Sequence, residues 1–100
     1  MTQFSDILAN AFAALADENG TPYPDGGAQA WGQAGQAYLS FAAGQIPASK
    51  LRELQYMARD SYGPVILDCK WYDRLKAMCL DGQDISESLF LEMLDFLREG

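Results

Sequence analysis

Histidine is absent from the chain. Its loss removes the usual general base near neutral pH and the commonest metal ligand. Lysine and arginine are missing from residues 1–46, where Asp6, Asp17, Glu18 and Asp25 leave a charge of −4. Long apolar runs are missing too, so no segment reads as a membrane span and no membrane partner is expected. The opening residues, Met-Thr-Gln-Phe-Ser-Asp, have neither the basic start nor the apolar block of a signal peptide, which makes the cytoplasm the expected location. No Gly-x-x-x-x-Gly-Lys-Ser/Thr loop occurs, so Gly26, Gly27, Gly32 and Gly35 read as turn and packing glycines. No cofactor and no metal is expected.

Cysteine occurs twice, at Cys69 and Cys79. If both lie on one helix, ten residues separate them by about 15 Å, beyond the roughly 7 Å between Cα atoms that a disulfide spans. Two cysteines without histidine also make a poor zinc site. Both are expected as buried free thiols. The carboxylate pairs Asp81 with Asp84 and Asp17 with Glu18 sit in polar, turn-like contexts. Catalytic carboxylates need burial or a close like charge to move their pKa, so these acids read as caps and solvated groups. The chain is therefore expected not to be an enzyme.

What is present is a helical pattern in 100 residues, enough for one core without disulfides or metal. Phe4, Ile7, Leu8, Ala11, Phe12 and Leu15 share one helix face, with Thr2 or Ser5 as cap and Gly20 as stop. Residues 19–27, rich in Pro, Gly and Asn/Asp, form a loop. A second helix is expected over about 27–43, with Asp25 near its cap, Trp31, Ala34, Gly35, Tyr38, Phe41 and Ala42 on one side, and Gly44 at its end. Glycine costs a helix about 1 kcal/mol against alanine, so Gly32 and Gly35 predict a close approach of a neighbouring helix. A third helix runs from about Pro47 to Asp60, with Leu51, Leu54, Met57 and Ala58 inward and Arg52, Tyr56 and Arg59 outward.

Val65 to Leu67 fits either a short extended segment or the start of a fourth helix. Asp68 is a good N-cap for a helix over about 69–80, burying Trp71, Tyr72, Leu75, Met78 and Cys79. In the last helix Asp84 and Glu87 have capping-box spacing. There Ile85, Leu89, Phe90, Met93, Leu94, Phe96 and Leu97 cover about half the circumference, while Leu91 lies outside that arc. No internal repeat or low-complexity tract is present. The expectation is an all-α fold, a compact bundle of about five short helices forming one domain over residues 1–100.

Charge is the main functional signal. Residues 47–80 carry +2, and residues 81–100 carry −5 with Arg98 as their lone base, within a total of −7. Direct binding to nucleic acid is disfavoured by repulsion. A protein partner with a basic surface, one that itself holds nucleic acid, fits better. Two candidate binding surfaces follow: Asp84, Glu87, Leu91 and Asp95 on the acidic last helix, and the Arg52–Tyr56–Arg59 cluster, whose residue types are enriched at interface hot spots.

In its length, its N-terminal part free of lysine and arginine, its acidic Asp81–Glu99 tail and its lack of an enzyme motif, the chain resembles the small acidic inhibitors of bacterial immunity encoded by phages and mobile elements, in particular anti-CRISPR proteins of the type I class. Those proteins share no motif, so no binding residue is carried over. The resemblance implies binding to a Cas surveillance complex and obstruction of target-DNA binding. Two other readings stand beside it. One is a helical adaptor or assembly subunit pairing through the broad apolar arc of residues 85–97. The other is an antitoxin or immunity-type inhibitor covering the site of a basic enzyme.

Overall fold

The computed structural model describes residues 3–99. The apolar periodicities become five α-helices: α1 (Phe4–Glu18), α2 (Gly27–Ala42), α3 (Ala48–Tyr62), α4 (Tyr72–Cys79) and α5 (Glu87–Glu99). A single 3-10 turn, Cys69–Trp71, leads into α4. No strand occurs among the described residues, and the fold is all-α. Residues 65–67 belong to neither a helix nor a strand, so the fourth helix does not begin there.

Helix α2 is the hub, packing against α1, α3 and α5. Helix α4 closes the ring by contacting both α1 and α5, while α3 lies outside the ring against α2. One core joins all five helices, with Leu8, Phe12, Leu15, Trp31, Leu75, Phe90, Leu94 and Leu97 fully buried in it. Trp31 buries its indole N–H without a partner among the described residues. A tryptophan buries about 150–250 Å², worth about 4–6 kcal/mol at 25 cal/mol per Å². An unpaired donor costs about 1–3 kcal/mol, so burial wins.

The two helical glycines do what their cost implies. A Cβ at Gly32 would collide with the Ser5 carbonyl oxygen and lie 3.0 Å from Ala9 Cβ. At Gly35 it would strike the Leu8 side chain and lie 3.2 Å from Met93 Sδ. Thus Gly32 admits the backbone of α1, and Gly35 admits side chains from α1 and α5.

Helix ends follow local chemistry, with some differences from expectation. Gly20 and Gly44, both at φ +73°, follow the ends of α1 and α2. There Thr21 N–H donates to Ala16 O and Gln45 N–H to Ser40 O, closing each helix with a Schellman pattern. Asp68 accepts from Lys70 N–H at 3.1 Å, as its cap role requires, but the first turn it caps is 3-10. Ser5 is no cap: Gln3 holds the N-cap position of α1 without a side-chain bond, and Thr2 lies outside the described residues. Asp25 does not cap α2, because Gly26 in a left-handed conformation occupies that place. Pro47 sits one residue before α3, and the helix runs on to Tyr62. Nor does Asp84 cap α5. Ser86 does, its Oγ accepting from Leu89 N–H at 3.1 Å, and the helix begins two residues later than Asp84 implied.

Several side chains assigned to the core are not in it. Phe41 and Ala42 are exposed in the last turn of α2. Met57 is 57% exposed and Met78 41% exposed, and Tyr72 is only half-buried. Periodicity identifies a common face, but α3 and α4 are each covered over part of that face. Gln55, by contrast, is buried on α3, where its amide donates to the Phe96 carbonyl at 3.3 Å.

Candidate functional site

The acids of the last helix do not form one free surface. Asp84 lies exposed in the loop ahead of α5. Glu87 is held by Lys76, whose ammonium lies 2.8 Å from Glu87 and 3.1 Å from Asp73. The two carboxylates raise the pKa of that ammonium. Asp95 accepts the Tyr72 hydroxyl at 2.8 Å, on the side of α5 that faces α4. Burial, and then this carboxylate, raise the Tyr72 pKa. Leu91 is half-buried against the core instead of standing outside it. The expected set Asp84, Glu87, Leu91 and Asp95 is therefore divided among a loop, an inter-helix ion pair, the core edge and a tyrosine partner.

The Arg52–Tyr56–Arg59 cluster is divided as well. Arg59 lies over the Tyr56 ring, 4.6 Å from its centroid, and pairs with Asp60 at 3.4 Å. Tyr56 is 45% exposed. Arg52 turns the other way: it donates to Gln55 Oε1 at 3.0 Å and sits 5.2 Å from the centre of the Phe96 ring. Tyr56 and Arg59 are an exposed pair, whereas Arg52 belongs to a junction between α3 and α5.

That junction contains the feature that residue-by-residue reading missed. Tyr38 of α2 packs on Phe96 with ring centroids 5.2 Å apart, and on Phe41 at 6.4 Å. Phe96 is largely buried, Tyr38 half-buried and Phe41 39% exposed, so the cluster grades from core to surface. Glu92 and Glu99 lie one turn before and one turn after Phe96 on α5, and both are exposed. Burial first, and then the charges of Glu92 and Glu99, raise the Tyr38 pKa. The i,i+3 pair Tyr38–Phe41 and the i,i+4,i+7 series Glu92–Phe96–Glu99 are both visible in the sequence. Their meeting across α2 and α5 is tertiary.

Pairing of charges follows the segments. Among the described residues, Glu18, Glu53, Asp60, Asp68, Asp73 and Glu87 pair with Arg74, Lys50, Arg59, Lys70 and Lys76, the last shared by Asp73 and Glu87. The Arg74 contact lowers the pKa of Glu18. The remaining acids, Asp6, Asp17, Asp25, Asp81, Asp84, Glu92, Asp95 and Glu99, have no ion-pair partner among the described residues, and all are exposed. The surplus negative charge is thus entirely on the surface, in the parts of the chain before α3 and after α4.

Cys79 is a buried free thiol whose pKa burial raises to about 11. Cys69 is free but exposed, contrary to expectation, because the 3-10 turn carries it outside the buried side of α4. Arg98 and the Cys69 sulfur are in contact. No group of three or more Cys, Asp or Glu among the described residues is arranged to hold a metal ion. No described helix is long and apolar enough to cross a membrane. A groove of about 230 Å³ between α2 and α3 is lined by residues including Ala30, Gln33, Leu54, Met57 and Tyr62, with no carboxylate or base in its wall. Comparison with protein-family models, with curated proteins and with solved structures gives no match.

Proposed function

We propose that the chain is a non-enzymatic protein-binding inhibitor that covers a basic, nucleic-acid-holding surface of its partner. In its specific form it is an anti-CRISPR protein that binds a type I Cas surveillance complex and obstructs target-DNA binding. The observation that carries this reading is the set of exposed carboxylates without ion-pair partners. Such a surface repels nucleic acid and attracts the groove built to hold it. Carboxylates speed encounter and fix orientation, while exposed aromatics supply the anchors.

The test is competition. Purified chain is added to a type I surveillance complex before labelled target DNA. Formation of a stable protein complex with loss of DNA binding, both weakened by added salt, is the expected result. Unchanged DNA binding at saturating chain would rule the reading out.

A further inference from the structure

Helix α2 carries a surface that its own fold does not use. Its first three turns bury one side, from Gly27 to Ala37, with α1, α3 and α5 as its neighbours, but its last turn leaves Phe41 exposed beside Tyr38. An exposed phenylalanine next to a half-buried tyrosine is a small aromatic platform, with the ring centroids 6.4 Å apart. The platform continues inward to Phe96, 5.2 Å from Tyr38. Large apolar rings at a surface are where interfaces draw their affinity, provided a partner covers them.

The surroundings of this platform are predominantly negative. Glu92 and Glu99 bracket Phe96 along α5, and neither has an ion-pair partner among the described residues. Their charge reaches Tyr38, whose phenol is held above its ordinary pKa by burial and by these two carboxylates. Helix α2 has no basic residue in its last turn, so the negative end of its dipole is uncompensated by side-chain charge. One cation already touches the cluster. The guanidinium of Arg52 sits 5.2 Å from the Phe96 ring centre, fixed by its bond to Gln55. It covers the largely buried Phe96 ring and leaves Tyr38 and Phe41 without a cation over them among the described residues, and the two glutamates outnumber it.

We infer that Tyr38, Phe41, Glu92 and Glu99 form a docking surface for an arginine-bearing basic segment of a partner protein. A planar guanidinium stacks on an aromatic ring and hydrogen-bonds carboxylates in the same pose, which a lysine ammonium does less well. The inference rests on the reading of the chain as a binder of basic protein surfaces. It moves the contact away from Glu87 and Asp95, which are engaged within the fold, to acids that are not.

The experiment is a titration of the isotope-labelled full chain, followed by amide chemical shifts. The probes are a ten-residue Arg-Gly peptide, its Lys-Gly counterpart and a Glu-Gly control. Shifts concentrated at residues 38–42 and 92–99 are expected, stronger with the arginine peptide and absent with the acidic one. Glu92→Gln with Glu99→Gln weakens arginine-peptide binding about fivefold, the worth of two exposed charge pairs. Phe41→Ala also weakens it. Asp6→Asn with Asp17→Asn, which removes acids of α1, leaves it unchanged.

No binding would overturn the inference. So would equal loss with the α1 variant, or shifts spread over every acidic face. Peptide binding here without any surveillance-complex binding would retain this surface and remove the anti-CRISPR reading. Surveillance-complex binding untouched by the glutamate and Phe41 variants would do the reverse.

Discussion

The two ends of α2 meet different surroundings. Toward its start, Gly27, Ala28, Trp31, Gly32, Ala34 and Gly35 are buried, and small residues alternate with one large indole so that α1 and α5 approach closely. Toward its end, Phe41 is 39% exposed and packs on the half-buried Tyr38. Phe41 closes no part of the buried core and adds only its contact with Tyr38. The contrast separates what holds the bundle together from what the bundle presents.

The largest effect is expected from filling the tight end of α2. Gly32→Ala places a methyl against the Ser5 carbonyl oxygen, which is backbone and cannot rotate away. Overpacking of this kind costs about 1–3 kcal/mol. Because the clash is with backbone, the cost lies at the upper end of that range, and with the helix gain of alanine, about 1 kcal/mol, set against it a net loss of about 2 kcal/mol is expected, lowering Tm by roughly 10 °C in a chain of this length. A Tm unchanged or raised in thermal unfolding would mean that α1 and α2 do not meet as closely as described.

A somewhat smaller effect is expected from the loop that leads into the buried end. Tyr23 donates its hydroxyl to the Ile66 carbonyl at 3.2 Å, and burial raises its pKa to about 12. An acid whose folded pKa lies above its unfolded value stabilises the fold below the unfolded pKa. That contribution is lost as pH rises from about 10 toward 12, by up to roughly 2 kcal/mol. Urea unfolding at a series of alkaline pH values should show this decline, and Tyr23→Phe should make it shallower, the raised pKa values of Tyr38 and Tyr72 leaving a part of the same sign. Cys79, raised to about 11, adds a similar decline beginning near pH 9, and the tyrosine variant leaves that part in place.

The smallest effect sharpens the exposed end. Glu92→Gln with Glu99→Gln removes two of the causes that raise the Tyr38 pKa. A spectroscopic titration should find that pKa lowered yet still above its ordinary value, because burial, the largest cause, is untouched. No change would place the two glutamates too far from the platform to act on it.

These contrasts also show what could be read from residues in order. The five apolar stripes, the close approach at Gly32 and Gly35, and the stops at Gly20 and Gly44 depend on local spacing and backbone chemistry, and they were legible. Asp84 and Ser86 are both good caps, and choosing between them needs the register in which α5 meets α4. Phe41, Met57 and Met78 share helix faces with buried residues, but periodicity does not say where a covering helix ends. The engagement of two candidate acids within the fold is hidden from the sequence for a related reason. Lys76 meets Glu87 from 11 residues away, and Tyr72 meets Asp95 from 23 residues away, through contacts between helices that no single helix encodes.

The most direct measurement is the dissociation constant between the chain and a purified type I surveillance complex, for the native sequence and for the triple variant Phe41→Ser, Glu92→Gln, Glu99→Gln. The two glutamates are exposed and their replacement costs within about 0.5 kcal/mol, while loss of the Phe41 packing on Tyr38 costs about 1–2 kcal/mol more, so the variant stays folded while binding weakens by about tenfold or more. Absence of native binding, or equal affinity of the two proteins with unaltered folding, would contradict the account.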